Sequence, residues 1–533
     1  MSFISLSFLA FLGVLLLLYY LLPKRAQWVL LLIGSYVFYA FAGLPCLAFL
    51  VFTTAVAYVT GRLLARSQAR EDAYIASVRD EISKEERKAY RAKGKGQRRL
   101  ILAAGLVLGF GLLAVFKYTG FTVRNLNAVI HLFDRNTSIP VPSLLLPLGL
   151  SFYVFQTMGY LIDVYRGKAG AEKNPFRLAL FVSFFPQLVQ GPISRYSELA
   201  KQLYTPHRAD WGMISGGLLR VAWGYFKKLV VADTVLIAIR TLLSDTATYE
   251  GAYVLLLILL YSIEIYGDFT GGIDITIGAA QMFGIRLTEN FDRPFSSEST
   301  KEYWRRWHIT MGTWFTDYIF YPLSVSKPMQ KLSKWSRAHL GQAVGKRLPV
   351  YIATIVTWFL TGLWHGADWN FIVWGLLNCL IILVSQELEP LWRRFRENFP
   401  RLDKSTFFHG FRAVRTFLLM GLIRSLDCYR DVPKTFSLWV TMFTRPDTYG
   451  ALFGGGILAL GLTVPDFILI GLSVLLIFFV SRAGREKRLS EPDRLPAKPV
   501  LLCLCVCALV IAALVFGNYG QGYDASDFIY GQF

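Results

Sequence analysis

Apolar runs of bilayer length recur along this chain, divided by short polar breaks. They fall near 3–22, 27–43, 44–60, 100–118, 144–165, 176–193, 211–232, 251–283, 349–364, 371–385, 406–426, 451–480 and 499–517. At ~20 residues per crossing, the pattern predicts a polytopic all-α membrane protein with about 11–13 transmembrane helices. The run 251–283 is long enough for two shorter or broken segments, with Gly267, Gly271, Gly272 and Gly278 as expected bends. No basic residue precedes the first run, Lys24 and Arg25 follow it, and no small-residue cleavage site comes after. It therefore reads as an uncleaved first span.

The polar breaks set an expected orientation. Residues 62–99 carry twelve Lys/Arg and six Asp/Glu and read as solvated helix with a turn at Gly94-Lys95-Gly96. Basic loops stay on the cytoplasmic side. Lys24 and Arg25 give the same side two spans earlier, which puts the N-terminus outside. The breaks 393–404 and 482–498 are basic too and are expected on the cytoplasmic face.

Composition agrees with a membrane solvent. Hydrophobic residues make up 54% of the 533, and charged residues only 17%, against about 25% in soluble chains. A mean hydropathy of +0.43 excludes a disordered or collagenous chain, and long apolar runs are not the pattern of an outer-membrane barrel. The net charge of +20 would suggest nucleic acid on a soluble protein. Here the cations flank apolar runs, so membrane lipid is the expected partner, with no nucleic acid. Cys503, Cys505 and Cys507 lie in one apolar run, where a spacing of two sprays them around a helix. They cannot converge on one metal and are expected to be buried small hydrophobes.

The largest later stretch unsuited to spanning is 286–348. Within it Trp304, Trp307, His308, Met311, Trp314, Phe315 and Tyr318 recur at spacings of three or four, which predicts one stripe on one helix. Lys301, Arg305 and Arg306 fall largely off it. Such a helix suits the membrane interface or the wall of a re-entrant cavity. His308 on that stripe is either an amphipathic member of an aromatic belt or a functional imidazole.

Of the six histidines, His365 stands apart. Phe359-Leu-Thr-Gly-Leu-Trp364-His365-Gly366-Ala-Asp368-Trp-Asn370 puts it in a short polar break between two apolar runs. An ionisable group near membrane depth usually faces a cavity or a polar partner. Gly362 and Gly366 let a substrate or a helix come close, and Asp368 could orient the ring if the break is helical. The alternative is a tight interhelical turn with a capping histidine. Glu264, Asp268 and Asp274 lie in the run 251–283. They suit either a proton path or structural pairing with Lys227, Lys228 or Arg286, and pairing is the expected outcome. No Walker loop, dinucleotide fingerprint, zinc helix or Gly-x-Ser-x-Gly elbow occurs. No metal and no bound cofactor is expected.

Several motifs carry a resemblance. They are Tyr266-Gly-Asp268-Phe-Thr-Gly271, Asn290-Phe-Asp-Arg-Pro294-Phe, Tyr303-Trp-Arg-Arg-Trp-His308-Ile-Thr and Gly362-Leu-Trp-His365-Gly-Ala-Asp-Trp-Asn370-Phe. Gly191-Pro192-Ile193-Ser194-Arg195-Tyr196 and Asp527-Phe-Ile-Tyr-Gly-Gln-Phe533 join them. The set resembles the membrane-bound O-acyltransferases, in the bacterial branch that includes the alginate O-acetyltransferase membrane subunit. The teichoic acid D-alanyl transferases are shorter relatives. The likeness runs from about Pro147 to the end. It makes 1–533 one domain, with N-terminal helices over 1–118 and a catalytic core over 147–533. One departure is Ser324-Val325-Ser326-Lys327, where family members often carry Gly-Gly-Asn-Arg.

The resemblance implies a ring of helices around a central funnel in a bacterial cytoplasmic membrane. It implies catalytic roles for His365 and His308, His365 being the deeper, and substrate contacts from Trp304, Trp307, Trp364, Asn370, Asp268 and Arg305. The expected reaction moves an acetyl group from a cytoplasmic thioester, acetyl-CoA or an acyl carrier, toward an extracellular polysaccharide hydroxyl, with an exported transferase as a possible partner. D-Alanyl transfer to teichoic acid, or a transporter that conducts without chemistry, are the alternatives. A neutral imidazole can deprotonate a hydroxyl at working pH, and an apolar wall keeps it neutral.

Overall fold

The computed structural model describes residues 1–484 and 499–519. The closing motif at 527–533 and most of the basic break 482–498 lie outside the described residues. Among those described, the regular elements are helices, and the one β-type pairing is an isolated antiparallel bridge between Phe291 and Trp307. It divides into two compact units: Met1–Ile214 with Ala279–Leu287, and Ser215–Gly278 with the residues from Thr288 onward.

The first unit contains α1 (Leu6–Leu21), α2 (Gln27–Ala40), α3 (Leu44–Ser77), α4 (Lys84–Ile130), α5 (Leu150–Tyr165), α6 (Pro175–Ser183), α7 (Phe185–Leu188) and α8 (Tyr196–Tyr204). Phe3, Phe8, Phe38 and Phe185 form an aromatic cluster, with Phe8 edge-on to Phe3 at 4.9 Å. α4 is a single 47-residue helix opened by a Ser83–Glu86 capping box. It runs unbroken through Gly94–Gly96, so the turn expected there is absent. A Cβ on Gly94 would collide with the Glu71 carboxylate. That glycine thus leaves room for the buried Arg98–Glu71 pair, 2.7 Å long. A tertiary contact, and not a turn, explains the residue.

The second unit begins within α9 (Trp211–Tyr225), which passes through a π-helical turn, Phe226–Ala232, into α10 (Asp233–Ser244). α11 (Ala252–Met282) is one continuous helix of 31 residues, so the bends expected at its glycines do not occur. Those glycines form a seam. A Cβ on Gly278 would lie 2.6 Å from the Gly217 carbonyl, one on Gly271 2.8 Å from that of Gly224, and one on Gly267 2.9 Å from that of Lys227. Ascending numbers on one helix meet descending numbers on the other, so the backbones pack antiparallel at close range, as small residues permit between membrane helices.

There follow α12 (Thr300–Arg306), α13 (Ile309–Phe315), α14 (Tyr321–Ser324), α15 (Lys327–Leu340), α16 (Gln342–His365), α17 (Trp369–Glu387), α18 (Glu389–Asn398), α19 (Pro400–Asp403) and α20 (Thr406–Tyr429). α21 (Val432–Thr444), α22 (Asp447–Phe453), α23 (Val464–Arg482) and α24 (Pro499–Phe516) complete the described chain. Ser326, in the segment that departs from the family pattern, caps α15 by accepting from the Met329 N–H. Cys503 and Cys507 are exposed on α24, contrary to the burial expected of them, while Cys46 and Cys379 are buried. Among the described residues no group of His, Cys, Asp or Glu could hold a metal ion.

Six helices among the described residues are long and apolar enough to cross a membrane: α3, α4, α11, α16, α17 and α23. α1 and α24 are shorter apolar helices. Other expected spans are helices with interruptions or charge. α20, for example, carries Arg412, Arg415, Arg424 and Asp427.

Candidate functional site

The two histidines singled out above lie in the second unit, and local backbone presents each differently. His365 is the last residue of α16. Gly366 then turns extended (φ −165°), and Asp368, also extended, stands before α17. The break is not helical, so the condition for Asp368 sitting one turn from His365 is not met. Both glycines admit a helix. A Cβ on Gly362 would come 2.4 Å from the Phe371 carbonyl oxygen, and one on Gly366 2.0 Å from the Phe371 ring. Their absence lets the start of α17 press against the end of α16. That approach sets Trp374 edge-on to the His365 ring at 4.7 Å. Trp364 stands on another side at 5.0 Å.

His308 interrupts the expected stripe. α12 ends at Arg306, His308 has left-handed backbone (φ +49°), and α13 starts afresh at Ile309. A non-glycine residue in that conformation is held by its surroundings. Here Asn290 does the holding. Its carbonyl accepts from Ile309 N–H at 2.9 Å, and its Oδ1 accepts from Thr310 N–H and Oγ1 at 3.0 and 2.9 Å. Its side-chain amide also meets His308 Nδ1 at 3.2–3.3 Å. The Phe291–Trp307 bridge fixes the other flank. The single-helix prediction failed because this tertiary clamp outweighs local periodicity.

Of the two rings, His308 is fully buried, at 0% exposure, and His365 is half-buried, which reverses the depth expected of them. Phe269 lies edge-on to His308 at 4.9 Å. His308 is outside the helices able to span, and burial pushes its imidazole down to about 3, so it is neutral at physiological pH. Both imidazoles touch Trp364, His308 at 5.9 Å and His365 at 5.0 Å between centroids, which bounds their separation at about 11 Å. The indole of Trp364 is their common contact.

His365 lines a small cavity of about 20 Å³ with Trp304, Trp307, Trp374, Arg424 and Asp427. Trp304 is shared with a larger groove of about 370 Å³, whose wall includes Lys301, Arg305, Met311 and Trp358. The Trp304 indole donates to Asn378 Oδ1 at 3.0 Å and packs on Trp358 and Trp374 at 5.1 and 5.5 Å. Trp307 stacks on Tyr303 at 5.7 Å. Asn370 donates to the Leu426 carbonyl at 3.3 Å, which ties α17 to α20. Trp304 and Trp307 thus share the His365 cavity and Trp364 contacts its ring, while Asn370 serves the α17–α20 junction and Arg305 is exposed at the groove.

Asp268 is elsewhere. It accepts from Lys228 at 2.6 Å, and the same ammonium meets Asp233 at 2.9 Å, all three residues being buried. Asp274 pairs with Lys227 at 2.5 Å and Arg220 at 3.0 Å, and Arg220 forks onto Glu289 at 2.6 Å. The pairing expected with Lys227 and Lys228 is present for Asp274 and Asp268, whereas the buried Glu264 forms no ion pair among the described residues and its Oε2 has no hydrogen-bond partner. The further cation is Arg220, while Arg286 contacts the Met213 sulfur at 3.9 Å. Arg424 and Asn290 were not singled out by the sequence as site residues. An arginine inside the apolar run 406–426 was the available signal for the first.

A polytopic helical membrane protein with a histidine at an aromatic-walled cavity is the class this geometry defines. A model of MBOAT, the membrane-bound O-acyltransferase family, matches residues 168–422. The chain is 36% identical to "Probable alginate O-acetylase AlgI" of Azotobacter vinelandii over 377 residues, 70% of this chain and 66% of that protein. The protein of the same description from Pseudomonas putida is 34% identical over 380 residues, 71% of this chain and 69% of its own length. "Peptidoglycan O-acetyltransferase" of Helicobacter pylori is 30% identical over 341 residues, covering 59% of this chain and 60% of that protein. This chain belongs to the membrane-bound O-acyltransferase family. The matched stretch spans just under two thirds of the Azotobacter relative.

Proposed function

We propose that this chain is a membrane acyltransferase that moves an acetyl group from a cytoplasmic thioester to a polysaccharide hydroxyl on the outer side of a bacterial cytoplasmic membrane. The acceptor is reached directly or through an exported transferase, and the N-terminus lies outside. The observation that carries the reading is the shared Trp304, which stands in both the 370 Å³ groove and the His365 cavity. Lys301 and Arg305 line the groove and would attract the phosphates of coenzyme A or of a carrier's prosthetic arm. The arm would extend past Trp304 and bring its thioester to His365. The acetyl groups moved by the alginate and peptidoglycan relatives, as their descriptions state, favour acetyl over D-alanyl transfer. The buried pairing of Asp268 and Asp274 favours structure over a proton path.

In the reaction His365 takes the acceptor's hydroxyl proton, a role worth about 10²–10⁴-fold in rate. The aromatic wall keeps water from the thioester. His308 acts through Trp364 as a positioning residue. The test supplies labelled acetyl-CoA, an acetylated carrier or a D-alanyl carrier to the protein in vesicles, with alginate and peptidoglycan fragments outside. Labelled acetyl ester on polymer is the expected product, and His365→Ala should abolish it at unchanged protein level. Wild-type acetyl content with His365→Ala refutes the role, and label only from D-alanine reassigns the acyl group.

A further inference from the structure

Arginine is expensive inside an apolar helix and is kept there where it pairs or meets a substrate. Arg424 lies in α20, just beyond the segment matched by the family model, and is 5% exposed. Three observations define its environment. Its guanidinium lies 4.0 Å from the centroid of Trp307. Its Nη2 donates to the Tyr303 hydroxyl at 2.8 Å. Its Nη1 is buried with no hydrogen-bond partner. Arg424 also lines the cavity that holds His365. The carboxylate in the same wall, Asp427, accepts from Tyr261 at 2.9 Å and forms no ion pair with Arg424 among the described contacts. A buried donor left unsatisfied costs free energy. The stack and the Tyr303 bond hold the fork, while the Nη1 donors stay unused on a residue that shares the His365 cavity.

We propose that Arg424 supplies the oxyanion donor of the transfer reaction, its Nη1–H receiving the charge that develops on the acyl oxygen. The inference rests on the acyl-transfer reading above. His365 removes the proton of the acceptor O–H, and the oxygen attacks the thioester carbonyl carbon, forming a C–O bond. The carbonyl π pair moves to oxygen, and that oxyanion accepts from Nη1–H. The pair then returns, the C–S bond breaks, and the thiolate leaves with the proton from His365. Atoms and electrons balance without another reagent. A preorganised donor aimed at developing charge in a dry site acts chiefly on the transition state, so its removal should lower kcat and leave donor KM little changed. A merely structural arginine would show the loss in folding instead.

The experiment compares wild type, Arg424→Ala, Arg424→Gln and His365→Ala in vesicles with labelled acetyl donor, and follows thermal unfolding of each in detergent. Arg424→Ala should lose about 10²–10³-fold in kcat with donor KM within about threefold. Millimolar guanidinium should restore at least tenfold in Arg424→Ala and nothing in His365→Ala, without raising the unfolding temperature. If Arg424→Ala does not fold, Arg424→Gln takes its place, with the same kcat-against-KM split required. Turnover within threefold of wild type in a folded variant overturns the proposal. So does a loss of kcat that follows unfolding and resists guanidinium in folded Arg424→Ala. Wild type inactive with every donor would instead sink the acyl-transfer reading itself, so the two failures are distinct.

Discussion

Gly362→Ala should damage turnover more than stability, and the reason is measurable in the structure. In an apolar helix this change normally helps, since alanine is better than glycine by about 1 kcal/mol in a helix interior. At position 362 the new methyl would sit 2.4 Å from the Phe371 carbonyl oxygen. Ordinary contact begins near 3.4 Å, so α17 must retreat by about 1 Å. Backbone cannot swing aside as a side chain can, and overpacking of this kind costs about 1–3 kcal/mol. The net loss is about 0–2 kcal/mol, a few degrees in melting temperature. Trp374 lies one turn beyond Phe371 and moves with it, opening its 4.7 Å contact with His365. A misplacement of about 1 Å near reacting groups can cost 10²-fold in rate. The assay pairs acetyl transfer in vesicles with intrinsic-fluorescence melting in detergent. Gly471→Ala, where a Cβ would meet nothing within 4 Å, serves as the helix-propensity control and should keep wild-type turnover. Gly362→Ala with wild-type turnover would show that the α16–α17 approach does not set the site.

Three further outcomes follow from the packing. Burial holds the His308 imidazole down to about 3 against about 6.5 unfolded, so below pH 6.5 the unfolded chain takes up a proton that the folded chain refuses. Stability is therefore full above pH 6.5 and erodes as pH falls toward 3; melting against pH should show this slope, and His308→Gln should flatten it. Lys228→Met leaves the buried Asp233 and Asp268 without their shared cation, and breaking a buried pair costs about 3–5 kcal/mol. Thermal melting should fall sharply, whereas an unchanged melting temperature would deny the cluster its structural role. Gly271→Leu should abolish monodisperse purification because its Cβ faces the Gly224 carbonyl at 2.8 Å, while Gly111→Leu, with nothing within 4 Å, should purify normally.

Periodicity and run length placed most helices because burial in lipid demands them. The runs at 3–22, 371–385 and 499–517 correspond to α1, α17 and α24. Glycine was misread twice, at Gly94–Gly96 and along α11, for one reason. A glycine that bends a helix and one that admits a neighbour look alike in sequence, and the neighbours, Glu71 in one case and Gly217 to Lys227 in the other, are far along the chain. Two carboxylates of α11, Asp268 and Asp274, were legible as paired, since buried charge must be compensated, but Arg220 was not foreseen as a partner and Glu264, expected to pair as well, does not. The aromatic stripe from Trp304 to Tyr318 had the right spacing for one helix and is broken at His308. Asn290, 18 residues earlier, takes hydrogen bonds that a continuous helix would have kept for itself.

That break bears on how two histidines would divide the work. A general base must accept a proton readily near the operating pH. An imidazole whose protonation is deferred to about pH 3 is a poor acceptor, and His308 has no exposed surface from which to meet a hydroxyl. It is suited to carrying a fixed, neutral hydrogen-bonding ring behind Trp364. His365 keeps partial exposure, borders the cavity and shares that indole. The assignment predicts unequal variants. His365→Gln should fail in turnover across the whole pH range, because no imidazole remains at the cavity to take the proton. His308→Gln keeps a neutral amide that can still meet Asn290 and should retain measurable turnover with an unaltered pH profile. Equal, complete loss in both, with both proteins folded, would mean that the buried ring reaches substrate and that Trp364 moves aside to let it.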